Sequence, residues 1–184
     1  VLFVFCLVNT FSCKRGASSN RTALDHAYAC QDVLGPLPNF SCADAIEVPT
    51  TKNGTPVTFG PAGDEGAGSP NPDDCDCPWA FGLACQTGNK VGRYSGLNSD
   101  GSENSDVVFI TFCRDGGLGV IGHKYSTGET CFFSILDGQD NNNPPGVNDA
   151  NYNDAWMATS IVAQDNCQNC HMASPFLHTP AVDQ

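Results

Sequence analysis

Cys167-Gln168-Asn169-Cys170-His171 is the run in this chain whose residue types and spacing could do chemistry. Two thiols three positions apart, followed at once by an imidazole, form the CxxCH pattern of c-type haem attachment. The spacing has a mechanical reason. Thiols so placed reach the two vinyl groups on one porphyrin edge and form thioethers, and the next residue sets its imidazole beneath the iron, for which a ring nitrogen is a good axial ligand. Cys167 and Cys170 are therefore candidate attachment residues for haem c, and His171 a candidate iron ligand. The same thiols have other uses. CxxC pairs form redox disulfides or half of a zinc site; Cys75-Asp76-Cys77 would then supply the second zinc pair, although CxC spacing serves tetrahedral zinc poorly.

A sixth iron ligand would come from His26, His123, His178, Met157 or Met172. Met172 adjoins His171 and cannot reach the opposite haem face. His178 leads the remainder, because it lies between Pro175 and Pro180, which hold the chain extended and let it swing round the haem edge. His123 stands in a Gly-rich run where backbone could approach a porphyrin, and Met157 is the thioether alternative. Each also has an ordinary reading as a packed or surface side chain. Two histidine ligands would set a lower potential than His with Met.

Whatever these residues bind, other elements must position them. From Asp106 to Gly138 three β-rich runs, Val107 to Cys113, Leu118 to Tyr125 and Thr130 to Leu136, are separated by Asp115-Gly116-Gly117 and Thr127-Gly128. Glycine takes positive φ in such turns, so an antiparallel three-stranded meander is expected. Alternation places Val108, Ile110 and Phe112 on one face of its first strand and Val107, Phe109, Thr111 and Cys113 on the other. Residues 16–72 are rich in Gly, Pro, Asn, Ser and Thr and read as short strands joined by irregular turns. A polar loop follows the meander; then Asp154 is placed to cap a helix through Ala155 to Ala163, with Met157 and Ile161 on one face. The expected fold class is mainly β with much irregular structure: a disulfide-stabilised antiparallel meander domain over 21–153, and a short helix and loop over 154–184 that carry the haem. No fixed-period repeat is visible.

The stretch from Cys167 to Gln184 resembles the haem-binding region of a group of secreted bacterial c-type cytochrome-like proteins. In them CxxCH is followed by a short Pro-Phe-(Ile/Leu)-His-(Ser/Thr)-Pro segment, here Pro175 to Pro180. The runs Cys75 to Cys85, Thr111 to Lys124, Glu129 to Gly138 and Ala155 to Ala158 also resemble that group, so the likeness covers about the last 110 residues. Ala181 departs from the Trp or Tyr such relatives often carry after the second proline. Relatives usually continue further, sometimes with another CxxCH, which leaves the haem count of the complete protein open. The resemblance implies an exported electron carrier.

Composition narrows the classes. Eight Lys and Arg against 20 Asp and Glu give a net charge of −12 over 184 residues. A duplex is held by neutralising its phosphates with a basic patch, so a nucleic-acid partner is excluded. Residues 22–184 are more acidic still, with five bases against all 20 acids, a net −15. From Tyr125 to Gln184 there are seven acids and no Lys or Arg, so a haem there would sit in a negative neighbourhood and attract a redox partner with a basic face. The opening VLFVFCLVNTFSC is too short to span a bilayer, which needs about 20 apolar residues, and residues 1–20 read as a signal-like leader; a buried strand is the alternative. The residues before Cys13 resemble a lipoprotein box loosely, which leaves lipid attachment there open. Export to a periplasmic, outer-surface or extracellular location follows, and assembly with copies of itself is compatible with the sequence. Both ends read as truncated.

Eleven cysteines suit that compartment. With Cys6 and Cys13 in the leader and two reserved for haem, Cys30, Cys42, Cys75, Cys77, Cys85, Cys113 and Cys131 remain: three disulfides and one left over, of unknown connectivity. The acidic loops Asp100 to Asp106 and Asp137 to Asn143 have oxygen ligands for Ca²⁺ but lack the EF-hand spacing, so solvated turns are expected. Three sequons, at Asn20, Asn39 and Asn53, would be inert in a bacterium. Besides the electron carrier, two functions stay open: a haem enzyme with a free sixth position, for which Arg114 or His123 would supply the distal polar group, and a structural module with disulfides or zinc and no haem.

Overall fold

Alternating apolar residues write one face of a sheet against a helix, and that contact is the centre of the molecule. The computed structural model describes residues 21–58, 68–69, 72–76, 85–114, 116–136 and 138–162. In chain order its elements are helix α1 (Ala23–Leu34), strands β1 (Ile46–Glu47), β2 (Thr51–Lys52), β3 (Thr55–Pro56), β4 (Gly68–Ser69), β5 (Cys85–Gln86), β6 (Lys90–Leu97), β7 (Glu103–Arg114), β8 (Gly117–Lys124) and β9 (Thr130–Ser134), then short helices α2 (Tyr152–Ala155) and α3 (Thr159–Val162). The protein is mainly β, its sheets are antiparallel, and three disulfides cross-link the described residues.

The expected meander is β7-β8-β9, inside a five-stranded sheet ordered β1-β6-β7-β8-β9. Its register aligns Thr111 with Val120 and Val120 with Phe133, and Phe109 with Gly122 and Gly122 with Cys131. Val107, Phe109 and Cys113 enter the main core and Thr111 is wholly buried, so the predicted division of faces holds. Gly122 leaves room for the helix. A Cβ there would stand 2.5 Å from Phe109 Cε1 and 2.9 Å from Leu34 Cδ1. Phe40 fills the middle of the core, its ring 5.4 to 6.4 Å from those of Phe109, Tyr94, Phe133 and Trp156.

Two expectations are corrected. Residues 16–72 were expected to hold only short strands and turns, yet α1 occupies 12 of them. Thr22 caps it in a reciprocal box: Thr22 Oγ1 accepts from Asp25 N–H at 3.1 Å, and the Asp25 carboxylate accepts from Thr22 N–H at 3.0 Å. Ala23, Ala27, Cys30 and Leu34, spaced four, three and four apart, form the buried face. Gly35, at φ +83°, stops the helix.

The second correction concerns the helix expected after Asp154. Asp154 lies inside α2, and Trp156 is extended, with φ −95° and ψ 143°, so Met157 and Ile161 share no helix face. Trp156 pairs with Ile135 as an isolated bridge, stacks on Tyr152 and donates its indole N–H to Pro145 O at 2.9 Å. Burying an indole with its donor satisfied outweighs a continued helix. Tyr152 is buried as well, and its own burial pushes the phenol pKa upward.

The disulfides tie distant parts together. Cys30–Cys131 joins α1 to β9, Cys42–Cys113 joins the segment after Phe40 to the end of β7, and Cys75–Cys85 closes a local loop. These are six of the seven cysteines assigned to cross-links; the seventh, Cys77, lies outside the described residues. The polar loop after the meander is a strap. Asn141 donates its amide to Arg114 O and Gly117 O, accepts from Cys42 N–H, and is followed by Asn142, whose carbonyl accepts from Ser41 Oγ.

Candidate functional site

Cys167, Cys170, His171 and His178 lie outside the described residues, as does Cys13. What is described is the path that leads to them. After Trp156 the Met157 N–H donates to Ser134 O at 2.9 Å, and α3 then lies against β9. Cys167 follows Val162, the last described residue, by five positions.

The other ligand candidates are placed as follows. His26, on α1, has Nε2 at 2.9 Å from Phe132 O and packs its ring 5.1 Å from that of Phe133. A carbonyl oxygen only accepts, so Nε2 carries the proton. The Cys30 Sγ lies 3.7 Å from His26 Nε2 and 3.9 Å from Nδ1. His123, on β8, is half-buried and faces away from α1, its Nδ1 2.9 Å from Thr130 Oγ1 and its ring edge-on to Tyr125. Met157 is half-buried beside Ser134.

His123 is paired with Thr130 at one end of β9, and Met157 sits by Ser134 at the other. At about 3.4 Å per residue the two are roughly 14 Å apart. Arg114 and His123, the candidate distal groups of an open-site enzyme, are also not brought together. Arg114 pairs with Gly117 at one end of β8 and His123 lies near the other end, roughly 20 Å along the strand.

The structure bears on two metal alternatives. Cys75 is bonded to Cys85, so Cys75-Asp76-Cys77 does not furnish a zinc pair. Asp76 is instead the anchor of the β2–β3 hairpin: its carboxylate accepts from Gly54 N–H, Thr51 Oγ1 and Asn53 N–H at 2.7 to 2.9 Å. Those bonds, the Gly54 amide first, hold its pKa below the ordinary value. In the loop from Asp100 to Asp106 the three carboxylates turn to different partners. Asp100 accepts from Ser102, Glu103 from Ser95 and Asp106 from Ser126, and the Ser102 hydroxyl and amide hold the Asp100 pKa down. Asp137 is outside the described residues, and Asn141 of the second loop is committed to the strap. Among the described residues no three His, Cys, Asp or Glu side chains come together as a metal site.

Sequence reasoning missed the contact between His26 and Cys30. Its signal was present as histidine and cysteine four apart behind a Thr-x-x-Asp box, which places both on one side of a helix. Comparison with models of protein families, with curated proteins and with solved structures gives no match.

Proposed function

We propose that this chain is an exported electron-transfer protein of the c-type cytochrome kind, with haem joined to Cys167 and Cys170 and with His171 as an axial ligand. The observation that carries the reading is CxxCH itself, supported by the resemblance of Cys167 to Gln184 to the haem-binding segment of secreted c-type cytochrome-like proteins. The structure adds a constraint on the alternatives. Cys30, Cys42, Cys75, Cys85, Cys113 and Cys131 pair with one another, so none is left to share a zinc ion with Cys167 and Cys170.

The donor set fits haem c in kind: two thiols for thioethers and an imidazole for iron. Bound there, the group supplies a one-electron couple. The chain's own part is to hold it covalently, present His171, and give the surroundings a negative charge. Seven acids and no base between Tyr125 and Gln184 steer a redox partner with a basic face. His178 is the first choice for the sixth ligand, with His123 and Met157 behind it. Three disulfides are compatible with an oxidising, exported setting, and no helix among the described residues is long and apolar enough to cross a membrane.

The test is a pyridine haemochrome spectrum of protein exported from a host that attaches haem c. An α band of c type is expected and should vanish in Cys167→Ala/Cys170→Ala. A purified, folded protein without that band overturns the proposal. Electron transfer to a basic partner should slow as salt rises; a salt-independent rate would count against the acidic docking face.

A further inference from the structure

We infer that Cys30–Cys131 is a redox-responsive clamp between α1 and β9, opened by a dithiol and favoured in its open form by His26. The inference does not depend on haem. It rests on four atoms that the fold brings together: Cys30 Sγ, the two nitrogens of His26 3.7 and 3.9 Å from it, and Phe132 O at 2.9 Å from Nε2. The carbonyl fixes the tautomer with the proton on Nε2, so Nδ1 carries a lone pair on the ring beside the sulfur. This is the arrangement of an activated thiol: a sulfur, a base within reach, and a third group that orients the base. Both cysteines are buried, Cys131 less deeply than Cys30, so Cys131 is the one a dithiol attacks.

In the step proposed, a thiolate of the dithiol attacks Cys131 Sγ. The Sγ–Sγ bond breaks and its electron pair leaves on Cys30 as a thiolate. His26 Nδ1 takes up a proton from the dithiol and pairs with that thiolate. The second thiol of the reductant then displaces Cys131, which retains the other proton, and the dithiol departs as a disulfide. Two electrons and two protons pass to the protein. A disulfide is reduced more readily when its reduced form is stabilised, and the His26 ring beside Cys30 Sγ gives the released thiolate a partner. The bridge is also placed to matter: its opening removes the covalent tie between α1 and the strand against which α3 lies.

The experiment is an equilibrium titration of the whole chain against dithiol redox buffers, quenched and alkylated, with each cysteine assigned by peptide mass. Cys30–Cys131 is expected to open at a poise at least tenfold less reducing, as an equilibrium constant, than Cys42–Cys113 and Cys75–Cys85. His26→Phe, which keeps a ring against Phe133, and His26→Gln, which keeps a donor for the Phe132 carbonyl, should each lower that constant about tenfold and leave the other two bridges where they were. If Cys30–Cys131 opens with or after the others in the unaltered protein, the inference fails regardless of how the variants fold. It fails equally if a folded His26 variant titrates like the parent.

Discussion

Across β7, β8 and β9 a buried residue on one strand faces another on the next, as Thr111 faces Val120 and Val120 faces Phe133. In the β2–β3 hairpin every strand residue is half-buried or exposed, and the turn hangs on the carboxylate of Asp76. The first region is ordered by apolar contact that two long-range disulfides reinforce; the second has little apolar surface to bury and relies on one short disulfide and hydrogen bonds to one side chain. In the one region the cross-links supplement a core. In the other, polar bonds stand in for one.

The largest test of that contrast is removal of the bridges in pairs. Cys30→Ser/Cys131→Ser and Cys42→Ser/Cys113→Ser open loops of 101 and 71 residues and should each cost about 4 to 5 kcal/mol by chain entropy. Cys75→Ser/Cys85→Ser opens a loop of 10 and should cost about 2 to 3 kcal/mol. Urea unfolding checks the order, and equal losses would erase the distinction. Gly122→Ala comes next. Its methyl must displace Phe109 or Leu34, which should lower stability by about 1 to 3 kcal/mol, seen as a shifted urea midpoint with the slope unchanged.

Thr22→Ala removes one half of the capping box and should cost about 1 kcal/mol, with loss of helical circular dichroism confined to α1. The smallest effect is local and acid-dependent. The folded pKa of Asp76 is lowered from 3.8, so its contribution is complete above that value and fades as pH falls through the lowered one. Amide exchange at Asn53 and Gly54 should quicken in acid while Phe109 stays protected, and Asp76→Asn should give fast exchange at Asn53 and Gly54 already at neutral pH.

The same division decides what could be read from sequence. The meander was legible because its three runs are rich in β-forming residues and glycines mark the turns between them. Its flanking strands were not: Lys90 to Leu97 mixes charge and glycine, and it pairs with β7 because small residues let Thr111 and Val107 approach. Helix α1 hid behind alanines, a cysteine and polar residues, although its Thr-x-x-Asp cap was in view. Trp156 broke an expected helix because its partner carbonyl, on Pro145, belongs to a loop without periodicity. The CxxCH pattern was legible as a pattern alone, since it is local. The pairing of cysteines was not, for it depends on which strands the chain brings side by side.

The central claim is most directly tested by protease digestion and mass measurement of the exported protein after denaturation. The account predicts that the peptide containing Cys167, Cys170 and His171 carries a haem through both cysteines. The same peptide with two free thiols, or with Cys167 and Cys170 joined to each other, would contradict it.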